Sequence, residues 1–326
     1  MPQTVPDIAV IKTAVLLACR APSVHNSQPW SWDFKGQVLQ LFLDQHRRVP
    51  SADRSGREAI ISCGAVLDHL RVAMMAAGWH AIVDLFPNPN DLDHLASIEF
   101  TPLDFVTDTA RQRADVILQR RTDRLPLGRP TYWLSFEPVL CSCVDEGIAM
   151  VDVLADDARP QLARASQLTE ALRRDDASYH AELQWWTSRF ALSEGVPPDA
   201  LASDSERRRV DVARDFPGRG AAERRTDVAV DWSKIVVLST AEDSRRDALG
   251  CGEALSTVLL ECTMAGMATC TLTHLIEIDQ SRDIVRGLIG GRGEPQVLIR
   301  AGIAPPMEDL PAATPRRPLG EVLTIH

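Results

Sequence analysis

Two stretches constrain this chain more than anything else in it. CGAVLDHLRVAMMAAG at 63–78 and CGEALSTVLLECTMAG at 251–266 align without a gap at an offset of 188. They share Cys-Gly at one end and Met, Ala and Gly near the other, and each has an arginine six residues before its cysteine, Arg57 and Arg245. Two amphipathic helices of similar composition would also align by chance. A duplicated α+β unit accounts for more, because each copy is followed by a short strand-like run and the second is preceded by one, KIVVLST at 234–240. The halves are then about 1–110 and 111–326.

The rest of the chain fills in those halves. Ile8, Ile11, Val15 and Cys19 recur at helical spacing behind Asp7, so 7–20 reads as an amphipathic helix that stops at Pro22. Alternation of Trp30, Trp32 and Phe34, a Lys35-Gly36 turn and VLQLFLD at 38–44 predict a β-hairpin. A second helix covers 58–77 with Gly78 at its C-cap, short strands follow at 80–85 and 97–101, and a third helix covers 107–120. The second half is longer because of a helix-rich insertion, about 159–230, broken at Pro197-Pro198 and rich in arginine over 206–225. Its Trp185, Trp186 and Phe190 suit a core, yet an insertion of that length exceeds what a connection needs and often covers a site.

Acidic residues outnumber basic ones 45 to 35, a net charge of −10, which argues against nucleic acid or an anionic membrane as partner. Any anion must be held locally. The longest uncharged apolar runs, such as AVLLAC at 14–19, are short for a membrane span, and MPQTVPDIAV lacks the basic region of a signal peptide, so the expectation is a cytoplasmic protein. Seven scattered cysteines suit reduced thiols, and Cys141-Ser-Cys143 without a nearby histidine is a poor zinc signature; no metal is expected. GxxxxGK[ST], HExxH, GxSxG and a full GxGxxG are absent.

Three segments could carry chemistry. RAPSVHNSQPW at 20–30 packs Ser23, His25, Asn26, Ser27 and Gln28 between Pro22 and Pro29, more hydrogen-bonding groups than a plain turn uses; a polar loop with local caps would show the same residues. RRTDR at 120–124 gathers Arg120, Arg121 and Arg124 around the Thr122 hydroxyl, and Arg316-Arg317 adds a pair near 320. Guanidinium forks suit a phosphate dianion, although an arginine pair is as often a solvated face. HLIEID at 274–279 places Ile276 and Glu277 where a strand ends, which alone means little.

Taken together, PSVHNSQPW, RRTDR, and HLIE followed by PQVLIRAGIAP resemble, in order and spacing, the FMN-dependent nitroreductase family, and closely its Acg-like branch in which two nitroreductase halves are fused in tandem. The resemblance spans nearly the whole chain. It implies a nitroreductase-like α+β fold, with central sheets flanked by helices, in which one chain mimics the family's obligate dimer. FMN would lie at the junction of the halves. Because PSVHNSQPW occurs only in the first half and RRTDR only in the second, one complete flavin site is implied. By the same resemblance Arg120, Arg121 and Thr122 address the phosphate, and Arg124 the pyrimidine edge of the ring. Pro22, Ser23, Asn26 and Gln28 then face the ring from the other half, Arg316 and Arg317 close over the phosphate, and Ile276 and Glu277 offer backbone toward N5.

The implied activity is reduction of nitroaromatic or quinone-like acceptors by NAD(P)H, through FMN and without an essential side-chain acid or base. Two departures favour an alternative, a non-catalytic protein that stores, sequesters or senses FMN beneath a lid. Ile278 stands where the family usually has glycine and would crowd N5, and the arginine-rich insertion has no counterpart in short members. Val24 also replaces a serine common among relatives.

Overall fold

A computed structural model describes residues 5–188, 193–220, 222–307 and 312–326; Phe190 lies outside them. The expected elements of the first half are present as α1 (Ile8–Ala18), the hairpin β1 (Trp30–Lys35) and β2 (Val38–Leu43), α2 (Arg57–Ala76), β3 (Trp79–Leu85), β4 (His94–Pro102) and α3 (Asp108–Gln119). The Thr107 hydroxyl opens α3 by accepting from Ala110 N. Gly78 ends α2 at φ 90°, a conformation open to glycine at little cost.

Beyond residue 130 the order is α4 (Trp133–Ser142), β5 (Met150–Leu154), α5 (Arg159–Arg173), α6 (Ala177–Trp186), α7 (Asp204–Arg207), β6 (Lys234–Thr240), α8 (Arg245–Met264), β7 (Ala268–Leu272), α9 (Asp279–Leu288), β8 (Glu294–Gly302) and β9 (Leu323–Ile325). The second copy of the repeat is α8, opened by a capping box between Ser244 and Asp247.

The strands form two sheets, β3-β4-β2-β1-β9 and β5-β6-β8-β7. All pairs are antiparallel except β1 with β9, so the last strand returns to the sheet of the first half, pairing Trp32 with Leu323. Trp30, Trp32, Leu39 and Leu41 face one core with α1 and α2, in the period of two read from the sequence.

At the centre α2 crosses α8, and the crossing explains the repeated Cys-Gly. A Cβ on Gly64 would meet Leu249 O at 2.0 Å, and one on Gly252 would meet Ile61 O at 2.0 Å. Ile61 and Leu249 are themselves related by the offset of 188, as are Gly64 and Gly252, so the contact is reciprocal about a pseudo-twofold axis. On that axis Ser256 donates to Asp68, its own counterpart, and lies 2.7 Å from His69 Nδ1. The paired arginines follow the same rule: Arg57 donates to Ile276 O in the second half, and Arg245 to Leu92 O in the first. By length and composition α2 is apolar enough to cross a membrane, but 78% of its most apolar window is buried here against protein.

Candidate functional site

The 23–28 loop owes its shape to unusual backbone. His25, Asn26 and Gln28 have φ of 49°, 58° and 52°, left-handed values that non-glycine residues adopt at a cost of about 1–3 kcal/mol each. Surrounding bonds hold them there. Gln28 N donates to Ser23 Oγ at 3.0 Å, Val24 N to Ser62 Oγ of α2 at 3.2 Å, and Gln28 Nε2 to Ser193 O at 2.9 Å. Asn26 Nδ2 reaches both Gly195 O and Pro315 O at 3.1 Å, tying the loop to the insertion and to the C-terminal segment. Asn26 Oδ1 is buried without a partner.

RRTDR leaves the end of α3 as an extended segment along the edge strand β7, where Thr122 bridges Thr269 and Asp123 N donates to Thr269 O at 2.8 Å. Asp123 is held in turn by Arg225 of the insertion at 2.8 Å. This pairing fixes Arg120, Thr122 and Arg124 opposite the 23–28 loop.

Between them lies a pocket of about 450 Å³. Five arginines line it, Arg20, Arg120, Arg121, Arg124 and Arg316, and among the described residues none forms an ion pair with a carboxylate. Arg120 is 6% exposed, donates only to Arg20 O at 3.3 Å and leaves Nε without a partner. Burial, then Arg20 and Arg121, push its pKa down to about 10. Burial also lowers Arg124 and, more strongly, Arg316. Arg316 spends its donors on the carbonyls of Cys19, Arg20, Ala21, Thr314 and Pro315, strapping the C-terminal segment beneath the loop. Crowding five cations together, with Arg120 buried and Arg20, Arg124 and Arg316 partly so, is costly without counter-charge, and an anion in the pocket would offset the cost.

The pocket opens into a cleft of about 1100 Å³, with Pro22, Ser23, Thr122 and Arg124 lining both. The cleft's floor comes from the central helices, Glu58, Ile61 and Ser62 of α2 and Leu255 of α8, and one wall from residues 270–274. The insertion covers it with Leu201, Val210, Arg214 and Phe216. The Phe216 ring meets His25 edge-on at 6.0 Å between centroids, and the Arg124 guanidinium stands 5.3 Å from its centre. Burial, then Arg214 and Arg124, push the His25 pKa well below the usual histidine value, which keeps the ring neutral.

The structure thus brings together Pro22, Ser23, Asn26, Arg120, Arg121, Thr122, Arg124 and Arg316. It sets four expected residues apart. Gln28 is buried behind the loop, where its Oε1 accepts from Arg317 N at 2.9 Å. Arg317 turns toward β1 and donates to Gln28 O, Trp30 O and Glu321 O, so its guanidinium does not reach the pocket it was expected to close. Ile276 and Glu277 line a different, charged pocket of about 1170 Å³, on the other side of Arg57 and Glu58. The buried Glu277 carboxylate is paired with Arg214. Ile278 lies there too, preceding α9, and does not line the cleft.

Sequence reasoning missed Arg20, His25, Glu58 and Phe216 as cleft or pocket residues. Arg20 opens the very element singled out, and His25 stands inside it, so both were within reach. Glu58 gave no signal, because carboxylates are common in the first turn of any helix.

Known proteins agree with the resemblance. No protein-family model matches the chain. Mycobacterium tuberculosis strain H37Rv has an uncharacterized protein, Rv3127, that is 63% identical over 321 residues, covering 97% of this chain and 93% of its own. From the same strain, a protein provisionally named NAD(P)H nitroreductase acg is 55% identical over 326 residues, covering 100% and 98%. Among solved structures, the FMN-dependent nitroreductase NfnB of Mycobacterium smegmatis, in complex with NADPH, aligns with 66% of this chain and 97% of its own at a TM-score of 0.40 and 19% identity. With the likeness to acg running the full length of both chains, this protein belongs to the nitroreductase family.

Proposed function

We propose that the protein binds one FMN across the pocket and cleft and uses NAD(P)H to reduce a small nitroaromatic or quinone-like acceptor. The observation that carries this reading is the cluster of five arginines with no carboxylate partner among the described residues, opening directly into a covered cleft. The names of the relatives support the family-level oxidoreductase role, and NfnB is described as FMN-dependent and NADPH-bound.

The residues fit the cofactor. Arg120, with its free Nε, and Arg121 address the phosphate with Ser23 and Thr122 as hydroxyl partners; Arg316 adds charge while holding the wall. Arg124 stands where pocket and cleft meet, so its charge falls on the adjoining edge of the ring and favours the reduced form. Asn26 Oδ1, buried without a partner, is an acceptor for a ring or ribityl donor. When bound, FMN supplies two-electron hydride chemistry that no side chain here can perform. Phe216 and its neighbours exclude water and orient the acceptor. The test is anaerobic addition of NADH or NADPH to FMN-loaded protein. Bleaching of the flavin, reversed by a nitro acceptor, is expected; no bleaching with either nucleotide overturns the reading.

A second reading, storage or sensing of FMN under a lid, is favoured by one contact, the placement of Phe216 between His25 and Arg124. It expects the wild-type protein to hold FMN inert and Phe216→Ala to restore bleaching by nucleotide. Reduction of the wild-type flavin at a useful rate dismisses it.

A further inference from the structure

Among the described residues Glu58 is the one carboxyl lining the cleft, and it also borders the charged pocket behind it. It is 2% exposed, and neither of its oxygens has a hydrogen-bond partner. Its position in the first turn of α2 would ordinarily engage it with the helix N-terminus, but that role is taken by Asp53, whose Oδ2 accepts from Ala59 N at 2.9 Å. A buried carboxylate with no partner is costly, and most of that cost, the part owed to charge, is removed when it carries a proton.

We propose that Glu58 is held protonated on the floor of the cleft and serves as the acid that delivers a proton to the acceptor. This rests on the reading of the cleft as an acceptor site. The groups facing Glu58 act in both directions. Burial comes first, with Glu277 at the head of α9 and Asp53 before α2 repelling the charged form, while Arg214 of the insertion and Arg57 of α2 attract it; the balance raises the pKa well above the usual carboxyl value.

The step balances. Reducing a nitro group to nitroso and water, or a quinone to a hydroquinone, consumes one hydride and one proton. The hydride, which carries both electrons, derives from NAD(P)H; with a nitro acceptor one N–O bond breaks and its oxygen leaves as water, whereas with a quinone no heavy-atom bond breaks. The proton leaves the Glu58 O–H bond and forms an O–H bond on the acceptor. The carboxylate left behind is a base facing two openings, and the charged pocket lined by Arg57, Asp243 and Glu277 gives it a route to water apart from the acceptor. Cover of the cleft by Leu201, Val210 and Phe216 of the insertion makes an internal acid useful, because apolar side chains there offer no proton.

The test compares wild type with Glu58→Gln and Glu58→Asp. In cofactor-free protein at neutral pH, the infrared difference between wild type and Glu58→Gln is expected to show the C=O stretch of one protonated carboxyl beyond that of Glu253, which needs no FMN. In loaded protein, Glu58→Gln is expected to bind FMN and be reduced by nucleotide within about twofold of wild type, while reoxidation by the acceptor slows at least tenfold and loses its solvent isotope effect. Glu58→Asp is expected to restore part of that rate. An unchanged infrared spectrum, or reoxidation at the wild-type rate, overturns the proposal. Failure of the wild type to bind FMN defeats the functional reading, whereas the infrared result still decides the protonation of Glu58. Should Glu58→Gln fail to fold, the pH dependence of the band in a Glu253→Gln background decides the point, and complete ionisation at the ordinary carboxyl pH counts against the proposal.

Discussion

Gly64 and Gly252 touch across the central helix crossing, and a side chain on either would put a carbon 2.0 Å from a carbonyl oxygen of the other helix. Because the obstacle is backbone, no rotamer change relieves it. Gly64→Ala is expected to force α2 and α8 apart and to destabilise by about 3 kcal/mol or more, at the upper end of what overpacking costs. Gly252→Ala is expected to do the same, since the contact is reciprocal. Chemical denaturation of both variants checks the symmetry as well as the size.

A single flavin per chain is the expected stoichiometry. Arg120, Arg121 and Thr122 come from one segment and Pro22, Ser23 and Asn26 from the other, and each segment occurs once. Released FMN measured against protein mass gives the ratio, and two per chain contradicts it.

Arg120 and Asn26 are expected to separate by ligand. Arg120→Ala removes a charge-assisted bond to phosphate of about 1.5–3 kcal/mol and weakens FMN roughly 10- to 100-fold, with little change for riboflavin. Asn26→Ala is expected to weaken both ligands alike. Parallel titrations of the two variants show whether phosphate and ring are assigned to the correct ends of the site; equal losses for FMN and riboflavin in Arg120→Ala show that they are not.

Away from the cleft, Glu253 gives a pH signature of its own. Burial, then repulsion by Asp68, push its pKa up to about 7 against the attraction of Arg71. A carboxyl raised in the folded state favours folding while protonated, so its contribution is full below the ordinary carboxyl pKa of 4.5 and is lost as pH rises through about 7. The loss is roughly 3 kcal/mol. Melting curves of Glu253→Gln and wild type should therefore diverge in favour of the variant between pH 5 and pH 8. A constant difference across that range contradicts the assignment.

Asp231 runs the opposite way. Arg300, fully buried, pairs with it at 2.7 Å and with Ser233 and Leu127 N holds its pKa down to about 2 against desolvation. Its stabilisation is present above pH 3.8 and lost as pH falls toward 2. Asp231→Asn is expected to be strongly destabilised at neutral pH, by about 3–5 kcal/mol, because a buried guanidinium loses its counter-charge, and the deficit should shrink in acid. Thermal unfolding at pH 7 and pH 3 measures it.

The repeat, the hairpin and the first three helices were legible because each follows from a period or a cap visible in a few consecutive residues. Pro22, Ser23 and Arg120, which the structure brings to one pocket, stood out because their segments are dense in unusual chemistry. Arg317 was misjudged beside Arg316 for a local reason. Arg317 finds acceptors in Gln28, Trp30 and Glu321, so only Arg316 of the pair lines the pocket, and nothing in the dipeptide itself marks which of the two does. β5, α4 and α9 lacked any marker strong enough to separate them from connecting chain. That Phe216 would reach His25, or that Glu58 would be left without a partner, depends on how the insertion folds back across nearly two hundred residues, which no local pattern encodes.

Pairing of β9 with β1 has a consequence for how the protein is made. Leu323 leaves the ribosome about 290 residues after its partner Trp32, a delay of roughly 15–60 s at ordinary elongation rates of about 5–20 residues per second. Throughout that interval the edge of β1 that β9 will occupy is bare, exposing backbone donors and acceptors that invite pairing with another nascent chain. The strap held by Arg316 arrives at the same late moment, so the pocket wall and the cover of the sheet edge are completed together, and a prematurely terminated chain lacks both.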